Sequence, residues 1–281
     1  KLYNLEQKYG SLIGGSIKKQ FEKKTELQKR VNRKTFSAQG GLSSLVKALY
    51  EKVGSEHFQF NCEKTIIEPY HGGFKASYIQ NGELQIIESK QVITTVGAYA
   101  LDEMLPFVDK VDIDQIASLQ YAPVAEVSLG FESWNGFNPD GFGGLIPTKE
   151  NRDILGVLFM STLFENRSPK GGQLFTVFVG GSSKPHLVSL PDDDLKQLVL
   201  KEFCDIMNCK DCNPSLIQIV RHTKAIPQYG IDSGIRFDTV ESIEKQYKGL
   251  QIGGNLRDGI GMADRIKQGH EMATKAISHI K

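Results

Sequence analysis

The stretch IGGNLRDGIGMADRIKQG, Ile252 to Gly269, places four glycines in its first ten residues and then turns helical in pattern. Glycine has no Cβ, so a flat ligand can approach the backbone closely. Amide N–H groups at a helix start can donate to an electron-rich oxygen or nitrogen. Such a loop fits a phosphate or a flat cofactor, and a bare strand-to-helix turn fits the same pattern. Gly259 and Gly261 make a G-x-G start, but Asp264 stands where the third glycine belongs. A second strand with an acidic residue about 20 positions on does not follow, so the stretch is not read as a Rossmann dinucleotide fingerprint.

Cys204, Cys209 and Cys212 have the C-x4-C-x2-C spacing of plant-type iron–sulfur ligands. The remaining cysteine, Cys62, lies far upstream rather than downstream. Inert thiols are therefore expected, and no metal site. Four cysteines are too few and too clustered for a disulfide scaffold, which favours a reducing, cytoplasmic setting. Neither a Ser-His-Asp set nor a pair of carboxylates stands out, so no catalytic side chain is assigned.

The elements that must carry these residues follow from periodicity. Residues 2–31 read as helix, with Leu2, Leu5, Tyr9, Leu12 and Ile13 in register and a charged run from Lys18 to Arg30. Gly40-Gly41 marks a turn, after which Leu42, Leu45, Val46 and Leu49 form one helical face. From Phe58 to Thr95 the pattern becomes strand-like, with Asn81-Gly82 a strong hairpin signal. A second strand set spans Ala125 to Gly181 and suits an antiparallel or mixed sheet. LPDDDLKQLVLKEFCDIM reads as a helix whose first-turn aspartates favour the helix dipole. SLIQIVRHTKAIPQY is a strand, Thr239 to Lys248 a helix, and LQIGG a strand that feeds the glycine loop. In the final helix Met262, Ile266, Ala273, Ile277 and Ile280 share a side, which is expected to be buried.

Composition narrows the class. The chain has 281 residues, 40% hydrophobic and 24% charged, with a formal net charge of +1. That is ordinary globular composition, with no electrostatic footprint for nucleic acid. No apolar run approaches the roughly 20 residues that span a bilayer.

LQIGGNLRDGIGMADRIKQGHEMATKAI resembles the C-terminal flavin motif of the protoporphyrinogen oxidase family, within the flavin amine oxidase superfamily. SAQGGLSSLVKAL, VITTVGAYALDEML, YAPVAEVSLGFE, GFGGLIPTKENRDILGVLFMSTLFENR and AIPQY resemble further family stretches in the family's order. Gly97 stands where proline is usual. The resemblance implies an α+β, two-lobed FAD-dependent oxidase fold, with a partial FAD-binding lobe and a substrate lobe built on a mixed β-sheet with flanking helices. The expected division is a helical segment at 1–36, part of the FAD lobe at 37–97, the substrate lobe at 98–245, and the FAD lobe's last strand and helix at 246–281.

By the same resemblance FAD is contacted by Thr65, Asn255, Gly259, Ile260, Gly261 and Met262. Arg257 and Asp258 fall at variable loop positions. Leu145 and Phe164 match apolar walls of the substrate pocket; as bare residues they equally fit a core. The implied reaction is FAD-dependent oxidation of protoporphyrinogen IX or coproporphyrinogen III to the porphyrin, with O2 as acceptor, in haem biosynthesis. Family members begin with a G-x-G-x-x-G segment for the ADP half of FAD. This chain is therefore expected to be the C-terminal part of a longer protein and inactive alone. Peripheral association of the longer protein with the inner face of a membrane, and a homodimer, are further family expectations. Another flavin amine oxidase or desaturase, and a non-enzymatic binding module, remain as alternatives.

Overall fold

The computed structural model describes residues 7–21 and 35–280. Leu2, Leu5 and most of the Lys18–Arg30 run lie outside the described residues. The chain forms two units, residues 1–53 and 54–281.

In the first unit, helix α1 (Leu12–Phe21) carries Ile13, Ile17 and Phe21 at four-residue spacing, all exposed. Helix α2 (Ser43–Val53) follows the expected turn, where Gly40 and Gly41 take positive φ. Its apolar positions share a face, and Val46, Leu49 and Val53 are exposed on it.

The second unit begins with a meander of β1 (Cys62–Tyr70), β2 (Gly73–Gln80) and β3 (Glu83–Ser89), antiparallel in that order. Asn81 and Gly82 both have positive φ. This is the turn whose twist matches paired strands, as the Asn-Gly signal predicts. β1 is bulged between Glu63 and Ile66. β4 (Val92–Thr94) leaves the meander, and helices α3 (Leu101–Met104) and α4 (Lys110–Ala117) follow. The Asp109 carboxylate caps α4 by accepting from the Val111 amide at 2.8 Å.

β5 (Tyr121–Phe131), β6 (Gly143–Leu145), β7 (Gly156–Phe159), β8 (Gln173–Gly180) and β9 (Leu216–Pro227) make a five-stranded sheet of order β6-β7-β8-β5-β9. Helix α5 (Met160–Leu163) interrupts it between β7 and β8, and α6 (Asp192–Met207) crosses between β8 and β9. Every pairing is antiparallel, so this sheet is antiparallel rather than mixed. The one crossover back to the same end, from β8 through α6 to β9, carries the chain past β5, so β8 and β9 run parallel without being neighbours. Ala125, Val127, Leu129 and Phe131 alternate inward along β5 and meet Leu195, Val199, Phe203 and Met207, one every fourth residue of α6.

Helix α7 (Ser233–Gln246) starts earlier than Thr239; Gly230 and Gly234 hid its first turns in the sequence. β10 (Leu250–Ile252) then pairs in parallel with β4, Leu250 opposite Val92 and Ile252 opposite Thr94. Around them lies a second core, in which Leu101, Leu105, Ile113 and Ile116 meet Val240, Ile243, Leu250, Ile252 and Leu256.

Helix α8 (Met262–Ile280) corrects one expectation. Met262, Ile266, Ala273 and Ile277 are exposed, while Gln268 and Met272 are buried. Periodicity shows that residues share a face; it does not say which face meets protein. Here polar side chains decide. Gln251 donates to the Met272 carbonyl at 3.1 Å and Gln91 to the Ala276 carbonyl at 2.8 Å, tying α8 to β10 and to the start of β4.

The cysteines give a second correction. Cys204 and Cys212 form a disulfide, so two of the expected inert thiols are paired. The left-handed Asn208 ends α6 and turns the chain back, which brings the two sulfurs together. Cys62 and Cys209 are free. The pairing removes two of the three C-x4-C-x2-C sulfurs from ligation, and among the described residues no three His, Cys, Asp or Glu side chains form a metal-binding group.

Candidate functional site

Parallel strands with helical crossovers bind ligands in the crevice beyond their carboxyl ends. For β4 and β10 that crevice opens past Thr94 and Ile252. A cavity of about 430 Å3 lies there, with Thr95, Gly97, Tyr99, Asn255 and Gly269 in its wall. Gly254 enters the loop at φ +92°, and a Cβ there would sit 2.6 Å from the Thr95 carbonyl oxygen. Only glycine lets the loop cross the end of β4 this closely. A Cβ on Gly269 would meet nothing within 4 Å, so α8 offers a flat, open wall.

The loop is held by side chains from α7 and α8. The Gly254 amide donates to Gln268 Oε1 at 2.9 Å, and Gln268 Nε2 donates to Asp258 at 2.7 Å. Arg265 donates to the carbonyls of Gly254 and Arg257. Glu244, with its side chain 8% exposed, accepts from Arg257 at 2.8 Å, from Lys275 at 2.9 Å and from the Ile252 amide at 2.9 Å. A carboxylate this buried is tolerable because two cations and an amide share it.

Two tyrosines from the antiparallel sheet region converge on Asn255. The Tyr121 hydroxyl lies 3.0 Å from Asn255 Oδ1 and 3.0 Å from the Ala98 amide nitrogen. The Tyr229 hydroxyl donates to the Asn255 carbonyl at 2.6 Å, and the Gly259 carbonyl lies 3.3 Å from it. Burial pushes both phenols above the ordinary tyrosine value, so both stay protonated and able to donate. Arg236 is 2% exposed, and its positive charge opposes that rise at Tyr121. Tyr99 packs edge-on against Tyr121.

Of the residues singled out in the sequence, Asn255 lines the cavity. Gly259 has φ +95°, and a Cβ there would lie 2.6 Å from Asp264 Oδ2. Ile260 and Met262 are exposed at the rim of the loop, with Gly261 between them. Thr65 is half-buried in the bulge of β1, on a different sheet from β4 and β10. Leu145 lies on the edge strand β6 and is 84% exposed. Phe164 is half-buried after α5, with the Arg167 guanidinium 5.9 Å from its ring. Neither lines the cavity at the strand ends.

Sequence reasoning gave no role to Tyr121, Glu244, Arg265 or Gln268. Tyr121 and Tyr229 were visible only as parts of YAPVAEVSLGFE and AIPQY, and Arg265 and Gln268 only as parts of the glycine-rich stretch. Arg265 and Gln268 sit one turn into α8 at three-residue spacing, a pattern that could have flagged a polar inward face. Nothing local marks Tyr121 or Glu244.

The chain matches the family described as "Flavin containing amine oxidoreductase" over residues 1–256. Over 310 residues it is 27% identical to the mitochondrial protoporphyrinogen oxidase of Nicotiana tabacum, covering 100% of this chain and 60% of that protein. To the coproporphyrinogen III oxidase of Bacillus subtilis it is 25% identical, covering 100% of this chain and 59% of that one. The chain thus spans about three-fifths of the length of these curated relatives. Its fold is similar to that of a candidate protoporphyrinogen oxidase from Exiguobacterium sp. 255-15, with TM-score 0.76 and 21% identity, covering 98% of this chain and 57% of that one. A putrescine oxidase variant aligns with TM-score 0.65 and 13% identity over 85% of this chain and 53% of its own.

Proposed function

This chain belongs to the flavin-containing amine oxidoreductase family, and on that premise we propose that it forms part of an FAD-dependent oxidase of porphyrinogens. The proposed substrate is protoporphyrinogen IX or coproporphyrinogen III, with O2 as acceptor, in haem biosynthesis. Each conversion to the porphyrin removes six electrons and yields three H2O2. The observation that carries this reading is the cavity beyond β4 and β10, walled by glycine and by Asn255 on the glycine-rich loop. The residues fit a flat ring. Gly269 leaves room for one, and Asn255 has an amide to offer it.

FAD, when bound, accepts the electron pairs and passes them to O2. The chain's own residues bind and orient. Asn255, Gly259, Ile260, Gly261 and Met262 are proposed to border the flavin, and Thr65 the adenine side. Glu244, Arg265 and Gln268 fix the loop's path. Leu145 and Phe164 are proposed as apolar walls for the macrocycle, which gains a driving force from aromatisation and needs no strong protein base. We assign residues 37–97 and 246–281, which supply most of the cavity wall, to the flavin lobe, and residues 98–245, which carry the antiparallel sheet, to the substrate lobe.

The 281 residues alone are proposed not to retain FAD or turn over. A paired experiment tests the reading: the 281-residue chain and the native polypeptide that contains it are purified, and visible flavin absorbance and porphyrin fluorescence are recorded with each porphyrinogen. A yellow, fluorescent-product-forming polypeptide with a colourless 281-residue chain is expected. A colourless polypeptide that leaves both porphyrinogens unoxidised overturns the reading. The better porphyrinogen names the substrate.

A further inference from the structure

We infer that Tyr121 is a positioning residue that turns the Asn255 amide so that its NH2 group donates into the cavity, toward an acceptor atom on the edge of a flat ring. The inference rests on the flavin reading of this cavity.

The argument starts from Ala98. Its residue is fully buried, so its amide N–H needs an acceptor, and the Tyr121 hydroxyl oxygen at 3.0 Å supplies one. A phenol has a single hydrogen. With the oxygen accepting from Ala98, that hydrogen is free for Asn255 Oδ1 at 3.0 Å. Flipping the amide would set its NH2 against Tyr121 and strand the phenol's hydrogen, so the network fixes the amide's polarity. The Tyr229 hydroxyl meanwhile holds the Asn255 main-chain carbonyl at 2.6 Å, which stops the loop from rotating the side chain away. No described residue accepts from Asn255 Nδ2. Asn255 shares its cavity with Tyr99 and the open face of Gly269, walls that leave room for a ring, and with the polar side chains of Arg265 and Gln268. A ring that sits there presents a carbonyl oxygen or an unprotonated ring nitrogen to Nδ2. Burial raises the Tyr121 pKa, so the phenol keeps its hydrogen across the physiological range.

The test is a cycle in the native polypeptide, with flavin dissociation constant and visible band positions as readouts. Y121F, N255A, N255D and Y121F/N255A are compared with the wild type. Y121F is expected to weaken flavin binding about fivefold to tenfold, the loss of one oriented hydrogen bond. The same change in the N255A background is expected to add nothing. N255D keeps an acceptor for Tyr121 but turns an oxygen on the ring, so it binds flavin more weakly than N255A and shifts the visible bands. Should Y121F fail to fold because Ala98 loses its acceptor, N255D still decides the polarity. Additive effects of Y121F and N255A would overturn the positioning role. Wild-type affinity in N255D would overturn the donor. Affinity loss with unmoved bands would overturn contact with the ring. A colourless wild type removes the flavin reading itself, a result distinct from all three.

Discussion

The two cores of the second unit are built differently. Around β5 and α6, Phe131, Trp134, Phe175 and Phe203 pack mostly edge-on or tilted with centroid distances from 4.7 to 6.0 Å, and the inward faces of the sheet and helix are covered by each other. Around β4 and β10 the core is mostly aliphatic, with Phe74 and Tyr121 at its edge, and its borders are polar. Glu244, Arg257, Arg265 and Gln268 hold the loop there, and the apolar face of α8 stays in solvent with Ile266 56% exposed. A sheet packed on a helix closes on itself by area alone. A region that leaves a cavity at its strand ends cannot, so it relies on directed hydrogen bonds to keep that cavity's shape.

The largest expected effect lies in the aromatic cluster. Phe203→Ala should cost about 3–5 kcal/mol in denaturant unfolding, through lost transfer energy and a cavity that rigid neighbours cannot fill. A cost under ~1 kcal/mol would remove the contrast with the polar region. Next comes Glu244→Leu, expected to cost about 3 kcal/mol because two cations and the Ile252 amide lose their acceptor at once. Hydrogen exchange should then rise across the loop from Gly253 to Gly261 while the β5–β8 amides stay protected. Uniform exchange would mean the loop is not held by these bonds.

The paired C204S/C212S variant should lose about 2.5 kcal/mol, the loop-closure entropy of an eight-residue separation. Its melting temperature should no longer respond to reductant, whereas the wild type's falls on reduction. The smallest effect is expected at Ile266→Lys, within about 0.5 kcal/mol, because that face of α8 already meets solvent. A loss of 2 kcal/mol or more in the 281-residue chain would show the face to be packed after all.

Much of this was legible in the sequence where the signal is local. Asn81-Gly82 gave its hairpin, Pro191 with three aspartates gave the start of α6, and the glycine stretch gave the loop. The candidate site was legible only in part. Asn255 and Gly259 come from the loop's own residues, but the tyrosines that orient it come from β5 and from the chain just past β9.

What the sequence alone determined are features whose cause lies within one turn or one strand pair: period-two strands, period-3.6 helices, positive-φ turns. The tertiary structure decided the rest. It chose the parallel partner of β4, which face of α8 is buried, and the meeting of Tyr121 with Asn255, 134 positions apart. The physical reason is that a buried donor such as the Ala98 amide must find an acceptor somewhere, and which distant side chain supplies it depends on how the elements close in space. Periodicity records only that a face exists. The satisfaction of buried polar groups selects what that face meets.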